Sequence, residues 1–153
     1  MPASGMPFHF TLDGLWRVRQ GLERRQELLL LEANLRVAAV QKQIDALDLS
    51  AEQARRHLAE QIALGLNASE LQFHLLCRAV LLERRDVLTR ELNQVRAVRE
   101  SRAVAFREAR RQREALDTIH QQQLQSYLQQ ELRREQRRLD DMFLLRRAYR
   151  NRG

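Results

Sequence analysis

Four histidines and one cysteine are the residues best equipped to bind metal or move protons: His9, His57, His74, His120 and Cys77. None of the histidines has a neighbour at metal-ligand spacing, and no Walker loop, glycine-rich phosphate cradle or H-E-x-x-H stands anywhere in the chain. A fold that turned back on itself near residue 66 would set His57 close to His74, with Cys77 one turn further on. A metal site there is one reading, and ordinary seam-flanking side chains are the other. Cys77 has no partner for an internal disulfide, which suits a reducing compartment. No catalytic constellation and no cofactor cradle emerges, so the chain reads as non-catalytic.

The charged residues offer a second kind of chemistry. The chain carries 27 Lys/Arg against 20 Asp/Glu, a net charge of +7. Residues 1–83 hold nine basic and ten acidic side chains, whereas residues 84–153 hold eighteen and ten, so the second half supplies the excess. Arg107, Arg110, Arg111 and Arg113 form one cluster, and Arg133, Arg134, Arg137 and Arg138 another. Such helices bind phosphates nonspecifically. Acids interleave both clusters and no basic-region or zinc-finger pattern accompanies them, so no specific nucleic acid is expected. A nucleic-acid-associated or oligomeric coiled-coil scaffold stands as the alternative class.

The elements that position these residues are helices. Both prolines, Pro2 and Pro7, precede Phe8, and no glycine separates Gly65 from Gly153. Without breakers, and rich in Leu, Arg, Glu, Gln and Ala, the chain is expected to be all-α. Thr11 would cap a first helix over 11–64, after an N-terminal extension over 1–10. Its stripe follows Leu12, Leu15, Arg19, Leu22, Gln26, Leu29, Ala33, Val37, Val40, Ile44 and Leu47, near the 3.5-residue step of a coiled coil. Residues 65–67 form a turn, with Gly65 in the left-handed position and Asn67 opening a capping box with Glu70. A second helix runs over 68–149 on Leu71, Leu75, Leu81, Leu88, Leu92, Val95, Phe106, Leu116, Ile119 and Tyr127, with Arg99 and Arg102 near the seam. The expected architecture is an elongated antiparallel two-helix coiled coil, a helical hairpin with arms of unequal length.

That inequality matters. Helix one is exhausted opposite about Tyr127, so residues 128–149 overhang by roughly 30 Å. Leu128, Leu132, Leu139, Met142 and Phe143 are expected to continue the seam with nothing in the chain to cover them. A partner protein, a second copy or a frayed end would each account for this. Glu131–Arg134, Glu135–Arg138 and Arg137–Asp141 are spaced to support the exposed helix by about 0.2–0.5 kcal/mol each.

Two segments carry a resemblance. "FHFTLDGLWRVR" holds Phe8, Phe10, Leu12, Leu15 and Arg19; "LDTIHQQQLQSYLQQELRREQRRLDDMF" holds Tyr127, Glu131, Arg134, Glu135, Gln136, Leu139, Asp140 and Asp141. Together they resemble the FliJ family of flagellar export proteins, whose members tend to open with F-x-F-x-L-x-x-L and to carry a late motif ending in E-Q-x-x-L-D-E. Asp141 stands where glutamate is usual, and PASGM precedes Phe8, so that Met6 gives the more family-like beginning.

The resemblance implies a non-catalytic coiled coil similar to the γ subunit of rotary ATP synthases. Its partners would be the flagellar export ATPase hexamer, the cytoplasmic domain of the export gate protein and export chaperones. It also implies a cytoplasmic protein, peripheral at the inner membrane through those partners. On this reading Leu132, Arg133, Arg134, Arg137, Arg138, Leu139, Met142 and Phe143 meet the ATPase ring. Phe8 and Phe10 brace the base or staple onto helix two. Phe73, Leu76 and Val80 contact the gate or a chaperone, or else belong to the seam. "MPASGMPFHF" has no apolar core and no leucine run is long enough to span a bilayer, so neither a signal peptide nor an anchor is expected.

Overall fold

The computed structural model describes residues 6–153, so the expected extension over 1–10 lies partly outside the described residues. The chain forms two helices, α1 over Asp13–Ala63 (51 residues) and α2 over Ala68–Asn151 (84 residues), packed against each other as an all-α helical hairpin.

The turn is built from local chemistry. Gly65 takes a φ of +92°, a left-handed conformation that side chains resist, and its amide donates to the Ile62 carbonyl at 3.2 Å. Asn67 then accepts the Glu70 amide on its side-chain oxygen at 2.9 Å. This satisfies one of the orphan donors of the new helix, a bond whose loss costs about 1 kcal/mol. The start of α1 differs from expectation. Thr11 does not cap it: the hydroxyl is turned to Gln123, and the Leu12 carbonyl accepts the first helical bond, from Trp16 at 2.9 Å.

The contacts divide the described residues into two compact units. The turn unit, residues 24–107, holds the apolar core: Val37, Val40 and Ile44 of α1 against Leu88 and Leu92 of α2, with Leu47 and Val95 alongside. Leu88 is only 2 % exposed, and full burial of such a side chain contributes about 1.5–3 kcal/mol. Buried and half-buried positions on α1 fall at Leu30, Ala33, Val37, Val40, Ile44 and Leu47, alternating steps of three and four. On α2 they fall at His74, Leu81, Leu88, Leu92, Val95 and Arg99. Arg99 is half-buried and Arg102 exposed, with Ala103 and Phe106 taking the inward places that follow.

The terminal unit joins residues 6–23 to 108–153. Here the same three-and-four step places Trp16, Arg19 and Glu23 of α1 inward, opposite Arg113, Leu116, His120, Gln123 and Tyr127. Leu12, Leu15 and Leu22, expected on the seam, are exposed. The inward places at Trp16, Arg19 and Glu23 are polar, and Leu15 and Leu22 stand one residue beside them.

Candidate partner-binding surfaces

Ahead of α1, residues 6–12 lie along α2 as an extended strap. The Tyr127 hydroxyl donates to the Met6 carbonyl at 2.8 Å. Phe8 sits between His120 and Tyr127, with ring centroids 5.5 and 5.4 Å away. Phe10 is 4 % exposed and meets Trp16 and His120 edge-on, while Trp16 stacks on His120 at 4.6 Å. Thr11 and Gln123 exchange hydrogen bonds through Thr11 N, Thr11 Oγ1 and both ends of the Gln123 amide. Edge-to-face contacts of this kind add about 0.5–1.5 kcal/mol each beyond their area. Phe8 and Phe10 therefore staple the chain onto α2, and Phe10 has almost no surface left to offer a partner.

Beyond the strap α2 runs on alone. Among the described residues, every one from Leu132 to Gly153 is exposed. The helix continues to Asn151, roughly 36 Å past Tyr127 at 1.5 Å per residue. Leu132 is 71 % and Phe143 65 % exposed, with Leu128, Leu139, Met142, Leu144, Leu145 and Tyr149 also largely open. Leu128, Leu132, Leu139 and Met142 form a stripe of their own at helical spacing. It does not continue the seam. The seam line His120–Tyr127 projects onward through Glu131, Arg134 and Arg138, and the leucine stripe lies about 100° round the helix from it. The seam line is instead closed by ion pairs, Glu131–Arg134 at 3.0 Å and Glu135–Arg138 at 3.5 Å. Arg137–Asp141, also expected, is not among the pairs formed by the described residues. The basic side chains of this segment thus sit beside an open apolar face rather than within it.

In the turn unit, Phe73, Leu76 and Val80 are 63–65 % exposed and stand off the seam, which passes through His74 and Leu81. They make a second open stripe. Sequence reasoning missed a third on α1: Leu28, Leu31 and Leu35, exposed on the face away from Val37 and Val40. Their spacing of three and four was legible, but Leu29 and Leu30 in the same run masked it.

His57 and His74 do approach, with ring centroids 6.0 Å apart and planes tilted by 59°. Cys77 is exposed nearby. No group of three metal-ligating side chains gathers among the described residues. His74 and Cys77 instead line a groove of about 320 Å³ over Leu47, Ala51, Ala54, Leu58 and Leu81, where alanines at seam positions leave the helices incompletely filled. Its rim carries Arg85 with Asp48 at 2.7 Å and Arg55 with Glu52 at 2.8 Å. Hydrogen bonding to Arg55 holds the Glu52 carboxyl down to about 2, and Arg85 lowers Asp48 in the same way.

The family model described as the flagellar FliJ protein matches residues 8–153, from the first strap phenylalanine to the last residue. The chain belongs to the FliJ family. FliJ proteins are non-catalytic components of flagellar protein export, and the two motifs lie on the parts of this structure that meet at Tyr127 and on the free helix after it. Neither a curated protein nor a solved structure matches the chain. No helix of this FliJ among the described residues is long and apolar enough to cross a membrane.

Proposed function

We propose that this FliJ protein is a stalk that inserts the free end of α2 into the ring of the flagellar export ATPase and links that ring to the export gate and its chaperones. The observation that carries the proposal is the open stripe Leu128–Leu132–Leu139–Met142, continued by Phe143, on a helix with no described partner beyond Tyr127. A soluble surface of this kind marks an interaction site. Leu132, Leu139, Met142 and Phe143 supply the apolar contact. Arg133, Arg134, Arg137 and Arg138 flank it and meet acidic or carbonyl groups on ring loops. Phe8 and Phe10 act indirectly, by holding the base from which the helix projects.

Phe73, Leu76 and Val80 are the contact for the gate protein's cytoplasmic domain or for an emptied chaperone. The protein then works in the cytoplasm, at the inner face of the membrane, and reaches the membrane only through these partners. A pulldown with the export ATPase tests the central contact: Leu139→Asp with Phe143→Asp abolishes capture if the reading is right, and undiminished capture refutes it. Both positions are exposed, so the exchange leaves the hairpin folded.

A further inference from the structure

The terminal unit packs through polar side chains at positions where a coiled coil ordinarily places leucine. Arg113, with its side chain 23 % exposed, donates to Glu23 at 3.0 Å and also pairs with Asp117. The other oxygen of Asp117 accepts the Trp16 indole N–H at 2.7 Å. Arg19 donates to Gln112 one turn away. Three of these contacts, Trp16–Asp117, Glu23–Arg113 and Arg19–Gln112, tie α1 to α2; Arg113–Asp117 ties α2 to itself.

A layer like this adds little net stability, because taking ions from water offsets most of their attraction. Its energetic consequence is asymmetric. Replacing the paired ions by apolar residues is often neutral or stabilising, whereas stranding one of them is destabilising. A slip of α1 by one heptad keeps every inward position inward. It also sets Arg113 against Trp16 or Leu30 in place of Glu23, and strands the carboxylate. Single polar positions at a seam are the best-attested means of fixing coiled-coil register.

We infer that the Trp16–Asp117–Arg113–Glu23 layer is a register lock: it selects which seven-residue frame α1 adopts on α2, and thereby how much of α2 runs free past the strap. Gly65 shapes the turn, and the lock fixes the pairing of α1 on α2. One heptad of slip changes the free length by about 10 Å at 1.5 Å per residue. The lock operates without any partner, so it stands or falls separately from the stalk reading.

The test uses the full chain with Cys77→Ser and pairs of introduced cysteines joined by a short bis-maleimide. T11C with Q123C reports the observed register. T11C with Q130C reports a slip of one heptad in one direction and V18C with A109C a slip in the other. Without further change, only the first pair cross-links. Adding Glu23→Leu and Arg113→Leu keeps the helicity and the melting temperature at or above those of the parent. In that background the observed-register yield falls by half or more and a slipped pair appears. An undiminished first pair with no slipped product overturns the lock. Loss of helicity in the double variant overturns it as well, since the layer would then be holding the fold rather than choosing its frame.

Discussion

Tyr127 donates its hydroxyl to the Met6 carbonyl at 2.8 Å, and this bond is the last that joins the N-terminal strap to α2 among the described residues. On one side of it the helix is covered by aromatic rings; on the other it is bare. The strap therefore defines where the free helix begins.

Phe10 is the strap's anchor, and its removal acts locally. Phe10→Ala leaves Trp16 and His120 without their edge-on partner. Amide exchange over Asp13–Arg19 is expected to accelerate tenfold or more, while exchange around Leu88 stays unchanged. Hydrogen exchange followed by mass spectrometry reads both in one experiment. Equal acceleration at Leu88 would mean that the strap supports the whole hairpin.

The Glu23–Arg113 pair makes stability depend on acid. Hydrogen bonding from Arg113 holds the Glu23 carboxyl below its ordinary range, against the opposing pull of burial. A depressed folded-state pKa contributes stability above the unfolded value, near 4.3 for glutamate, and loses it as pH falls through the lowered folded value. Glu23→Gln is thus expected to lower the melting temperature at pH 7, with the gap narrowing as pH falls below the ordinary carboxylate range. Thermal melts across this range, read as the difference between the two proteins, check it. A gap of the same size at every pH would assign the effect to packing.

The second open stripe is expected to serve a different partner from the first. Phe73→Asp with Leu76→Asp and Val80→Asp is expected to weaken capture of the gate domain or of chaperones at least tenfold, about 1.4 kcal/mol, and to leave ATPase capture unchanged. Parallel pulldowns distinguish the two surfaces. Loss of ATPase capture from this variant would merge them into one.

Much of the fold was legible because its signals are local. Proline is confined to the first seven residues, Gly65 carries the left-handed turn, and Asn67 with Glu70 marks the next start. The core over Val37, Val40, Ile44, Leu88 and Leu92 followed from spacing alone. The terminal unit was misread where apolar residues stand beside the frame instead of in it. Leu15 and Leu22 drew the stripe off Trp16 and Glu23, since a hydrophobicity rule gives no weight to a polar residue satisfied by the other helix.

The same rule carried the seam onto Leu128 and Leu132, a residue out of phase with Tyr127. Recognising the polar layer requires knowing that Asp117 and Arg113 face it, which only the pairing of the helices supplies. The phenylalanines of the strap were legible as a motif, but their burial depends on His120 and Tyr127, more than a hundred residues later.

The central claim is that the free helix, and specifically its leucine face, enters the ATPase ring. Photo-cross-linking tests it most directly: a benzoylphenylalanine placed at Leu139, at Arg134 on the seam line, or at Leu76, in separate full-length proteins mixed with the assembled ATPase. Strong cross-links to the ATPase are expected from position 139, weaker ones from 134 and none from 76. Cross-links from 76 with none from 139 would contradict the claim.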